Sequence, residues 1–82
     1  MVYCKYKGNT DKTVTYAYGD TYDDMPGELV FHFVDDVIEI VRKPENHIIF
    51  PRQINTLYGM HREEFKKGIF KEKIAYEHEL AP

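Results

Sequence analysis

Residues 16–31, YAYGDTYDDMPGELVF, set Asp20, Asp23 and Asp24 among tyrosines and shortly before Glu28, the chain's densest group of oxygen ligands. A calcium loop needs oxygens at alternating positions, a glycine at the sixth and a bidentate Glu at the twelfth. Counted from Asp20, those positions hold Met25 and Phe31; counted from Asp23, they hold Glu28 and Val34. Both frames fail at the glycine and at the last ligand. The plainer reading is a solvated connection, with Met25-Pro26-Gly27 as the turn that aims the chain into the next strand.

The remaining reactive side chains are scattered. Structural zinc draws on close pairs such as Cys-x₂-Cys or His-x₃-His, whereas Cys4, His32, His47, His61 and His78 stand singly. His61 and Glu64 share a helix face but supply two ligands only. The chain contains no serine, its glycines are isolated, and Cys4 lies on the inward side of a strand beside Val2 and Tyr6. A buried cysteine of that kind behaves as a small hydrophobe. His32 and Glu39 could act as an acid/base pair, although such a cross-strand contact is more often structural. We therefore expect no catalytic residue, no metal and no cofactor.

Eighty-two residues with 43% hydrophobic and 15% aromatic side chains are enough for one small core, and we expect a single domain over 1–82. One cysteine cannot form an internal disulfide, which fits a reducing, cytoplasmic setting. The opening MVYCKYK alternates like a strand and does not read as a leader, and no apolar run reaches the roughly 20 residues of a membrane helix. Net charge is −3, but residues 1–41 carry eight acids and three bases, giving −5, and residues 42–82 carry eight bases and six acids, giving +2. Such asymmetry bears on partners more than on fold.

The elements follow from periodicity. VYCKYK and TVTYAY alternate around GNTDK, the pattern of a hairpin. GELVFHFV and VIEIVRK flank Asp35-Asp36; a two-residue turn there would oppose Val34 to Val37, Phe33 to Ile38 and His32 to Glu39. That places Leu29, Phe31, Phe33, Ile38 and Ile40 on a core face, with Val30, His32, Val34, Val37, Glu39 and Val41 on the reverse. HIIF reads as a short extended piece, and Pro51 as its stop or as the start of a helix. Leu57, His61, Phe65 and Ile69 recur at four, with Ile54 and Tyr58 beside them, so the spacing predicts a helix over about 54–67, stopped by Gly68. IFKEKIAYEHE returns to alternation and reads as a closing strand. The expected fold is α+β: a mainly antiparallel sheet of two hairpins and a C-terminal strand, with one helix packed on one face.

Two binding readings compete. Seven tyrosines, an acidic loop and the absence of catalytic signatures favour a non-enzymatic protein-interaction module, with Tyr18, Asp20, Tyr22, Asp23 and Asp24 docking a basic protein surface. The alternative is nucleic-acid binding through Arg62, Lys66, Lys67, Lys71 and Lys73, which surround Phe65 and Phe70. INTLYGMHREEF resembles a helix-turn-helix with Gly59 in the turn. Asn55, however, stands where that pattern wants a small apolar residue, and Glu63, Glu64 and Glu72 interrupt the positive field. A small open sheet also leaves edges on which a second copy could pair, so a homodimer is a further expectation.

Overall fold

Period-two alternation puts one side of each strand in water and the other in the core, and the first three strands obey it. The computed structural model describes residues 1–45 and 49–76. Strands β1 (Val2–Asn9), β2 (Thr13–Gly19), β3 (Gly27–His32) and β4 (Val37–Arg42) form a meander, followed by helix α1 (Pro51–Lys66) and strand β5 (Lys73–Tyr76). The strand order is β4-β3-β2-β1-β5, and every neighbouring pair is antiparallel. The helix carries the chain from the β4 edge across one face of the sheet to the opposite edge, where β5 pairs with β1. This is the α+β architecture expected from the sequence.

The core lies between that face and α1. Phe65 is its hub: its ring centroid lies 5.7 Å from Phe31, 6.1 Å from Phe33, 6.2 Å from Tyr16, 6.3 Å from Tyr58 and 6.0 Å from Phe70. Tilted and offset ring contacts add to the area each side chain buries. Buried tyrosines need partners for their hydroxyls: Tyr16 donates to the Lys71 carbonyl at 2.9 Å, and Tyr58 donates to Asp36 Oδ1 at 2.7 Å.

Several expectations change. The β3–β4 register lies two residues from the one expected: His32 faces Val37, Phe31 faces Ile38, Val30 faces Glu39 and Leu29 faces Ile40. The turn therefore spans Phe33–Asp36 rather than Asp35-Asp36 alone. A shift of two keeps each side chain on its own side of the sheet, so the sorting of sides survives while the pairing does not, and Ile40, expected in the core, is 38% exposed. The longer turn lets Phe33 fold into the core, and Asp36 takes a left-handed φ of 58°, which Asp tolerates better than most residues.

The helix starts at Pro51, three residues earlier than expected, with proline at a position where its missing N–H is no loss. Gln53 secures this end: its Oε1 accepts the Phe50 N–H at 3.2 Å, and its own N–H donates to the Phe50 carbonyl at 2.9 Å. Gly59 sits inside a continuous helix, so there is no turn there and the helix-turn-helix resemblance fails. The end is a Schellman motif: Gly68, at φ 80°, donates to the Phe65 carbonyl at 3.0 Å and Ile69 donates to the Glu64 carbonyl at 2.8 Å. Ile69 falls beyond the helix and is exposed. Of the expected extended piece at 47–50, residues 47 and 48 lie outside the described residues, and Ile49 and Phe50 lead into the helix without forming a strand. The closing strand is limited to 73–76 among the described residues.

Candidate interaction surface

The acidic loop runs from the end of β2 to Gly27 at the start of β3. Tyr18, expected on its docking surface, is 2% exposed and belongs to the core. The reason is its cross-strand partner, Gly27. A Cβ built on Gly27 would lie 2.7 Å from the Tyr18 ring and 2.8 Å from Pro44 Cδ, so the ring and the proline cover the bare glycine backbone. Tyr22, Asp23 and Asp24 are exposed and Asp20 is half-buried. Tyr22 folds back onto the sheet face that α1 leaves uncovered. Its ring centroid stands 4.6 Å from that of Tyr3, and Lys73 Nζ lies 5.4 Å from it in a cation–π contact.

That contact joins the two sets of residues the sequence kept apart, because Lys73 belongs to the basic group. The other basic residues lie elsewhere. Arg62 grips Asp36 through Nε at 2.6 Å and Nη2 at 3.0 Å, Lys71 pairs with Glu64 at 3.2 Å, and Lys66 and Lys67 project from the helix end into water. Ile74 is buried beside the helix, so its neighbour Lys73 faces the other way. The five cations therefore do not form one patch.

A basic grouping that the sequence reading missed runs across the uncovered face. Lys73 stands directly opposite Lys5, Lys5 opposite Ala17, Ala17 opposite Glu28 and Glu28 opposite Arg42. Lys7 reaches Glu28 at 2.8 Å and Arg42 comes within 3.6 Å of it; the Lys7 hydrogen bond leads in holding the Glu28 carboxyl below its usual range. Only the strand order brings these residues together, which is why local spacing gave no sign of them.

The candidate acid/base groups form two hydrogen-bonded pairs. His32 Nε2 and Glu39 Oε1 share a hydrogen bond of 2.9 Å across β3 and β4, and His61 Nδ1 and Glu64 Oε1 share one of 2.9 Å along α1. Burial pushes the Cys4 thiol up to about 12, which leaves no thiolate at neutral pH. Among the described residues Asp36 is the most perturbed carboxyl, held at about 2 first by the Arg62 hydrogen bond and then by that of Tyr58. It ties the β3–β4 turn to α1. Among the described residues no three His, Cys, Asp or Glu side chains gather into a metal-holding group. A groove of about 270 Å³ between β4 and the first turns of α1 is lined by Ile38, Ile40, Ile49 and Ile54, with Lys43 and Asn55 as polar neighbours. Among the described residues that line it, no base stands beside an acid or nucleophile.

The long outer strand is the most apolar exposed element. Val37 is 51% exposed, Ile40 38% and Val41 50%, with Val34 at 56% in the preceding turn. Among the described residues no helix is long and apolar enough to cross a membrane. No family model, curated protein or solved structure matches the chain.

Proposed function

We propose that this protein is a non-enzymatic interaction module of the cytoplasm that docks a basic protein surface through the loop at 20–24. The observation that carries the reading is the anchoring of Tyr22 between Tyr3 and Lys73. A loop held at its centre as well as at both ends loses little freedom on binding, and preorganisation of this kind raises affinity. Asp23 and Asp24 then present negative charge beside a large aromatic ring, a combination that steers a basic partner and gives it contact area. Tyr18 leaves the expected set, and its role is to hold the start of β3.

The test is a pull-down from native lysate followed by titration of the recovered partner. Changing Asp20, Asp23 and Asp24 together to asparagine keeps size and turn preference. Affinity should fall about tenfold or more at low salt, and its salt dependence should flatten. Unchanged affinity and salt response in a folded variant would refute the docking loop.

A second reading, nucleic-acid binding, is favoured by the like-charge pair Lys5 and Lys73, which no carboxylate among the described residues neutralises. Like charges directly opposite on a sheet face are destabilising, and a phosphate would relieve them. With so few free cations the salt slope for a single-stranded oligonucleotide should be shallow, about −1.4 for two phosphate contacts. Retention that survives Lys5→Gln with Lys73→Gln would remove this reading.

A further inference from the structure

We propose that the protein forms a homodimer by antiparallel pairing of β4 with β4 of a second copy, about a two-fold axis at Glu39. Residues 35–43 read DDVIEIVRK. The central VIEIV is the same in both directions about Glu39, while the two ends carry opposite charge. An antiparallel self-pairing centred there sets Val37 against Val41 of the other copy and Ile38 against Ile40, and it brings Asp35, in the turn, into the neighbourhood of Lys43 beyond the other copy's strand end, twice. Parallel pairing would bring each acidic end onto its like.

The structure makes the strand available. Among the described residues β4 is the terminal strand of the sheet, with β3 on one side only, and both of its faces expose apolar side chains. Residues opposed in this register share a face, so the two helices would lie on the same side of one continuous ten-stranded sheet, twice the five of a single copy. A slip of one residue would force the helices to opposite sides, and a slip of two would separate Asp35 from Lys43. The axis itself sets Glu39 against Glu39, the one unfavourable contact. Each of those carboxylates already shares a hydrogen bond with His32 of its own copy, which draws it inward. The register shift at Val41, which has no partner on β3, limits the regular part of the strand to Val37–Ile40. Bulges and charges are ordinary means of weakening an edge, so the dimer is one of modest affinity.

The proposal does not depend on the docking loop, and neutralising Asp20, Asp23 and Asp24 should leave it intact. The test is sedimentation equilibrium of the full chain over a concentration series, with circular dichroism to check the fold. Wild type should pass from monomer to dimer. Asp35→Lys and Lys43→Asp should each weaken the dimer about tenfold, since each turns two symmetry-related attractions into repulsions. Combined in one chain, they should restore it. Both side chains are exposed and neither makes an ion pair among the described residues, so both variants should fold. Glu39→Gln should tighten the dimer. A chain that stays monomeric at every concentration, a dimer indifferent to the charge swap, or open-ended assembly would each overturn the proposal.

Discussion

The two edges of the sheet are built on opposite plans. β5 spans four residues among those described; Ile74 is buried, Lys73 is exposed, and residues 67–72 join the helix to the strand. An edge lysine is one of the features that keep a strand from recruiting another chain. β4 has six residues, four of them apolar, on a strand that no helix residue buries fully. The chain's apolar capacity is spent inward at one edge and left outward at the other. Isoleucine therefore means different things in the two strands: Ile74 is core, and Ile40 is surface at 38% exposure.

Substitutions can break or sharpen that contrast. Phe65→Ala removes the ring that five core aromatics share and should cost about 4 kcal/mol, dissolving both edges together, as urea unfolding would show. Against a total stability of roughly 5–15 kcal/mol, that is about a quarter of the whole or more. Ile74→Lys buries a charge without a partner and should cost about 3 kcal/mol or more, while Ile40→Lys should leave the urea midpoint almost unchanged and abolish self-association. Equal destabilisation by the two would erase the distinction between the edges.

Smaller effects probe the turn that starts β4. Tyr58→Phe removes a hydrogen bond to a carboxylate and should cost about 1.5 kcal/mol. The same carboxylate sets an acid limit. Asp36 is held at about 2 against an ordinary 3.8, so its stabilising share is present above the ordinary value and disappears as pH falls through about 2. The stability gap between wild type and Asp36→Asn, measured by urea unfolding, should be widest near neutral pH and close toward pH 2. Gly59→Ala has the smallest expected effect and the opposite sign. A Cβ there meets nothing within 4 Å on a helix surface, so the variant should gain about 1 kcal/mol with both edges unaltered.

What could be read from the sequence was whatever local periodicity decides. Spacing by four located α1 through Leu57 and Phe65, and Gly68 marked its end. Alternation sorted the faces of both hairpins. It could not settle the β3–β4 register, because a period of two is unchanged by a shift of two, and only the recruitment of Phe33 into the core and of Asp36 by α1 selects the observed pairing. The burial of Tyr18 depends on facing Gly27, a consequence of register rather than of composition. The dispersal of the basic residues is a matter of topology: β5 returns beside β1 and turns Lys73 to the face that α1 does not cover.

The most direct test of the contrast is amide hydrogen exchange at low and high protein concentration, followed strand by strand. The amides of β4 should gain protection as concentration rises while those of β5 exchange at constant rates. Concentration-independent exchange along β4, or matching gains at both edges, would contradict the assignment of β4 as the pairing edge.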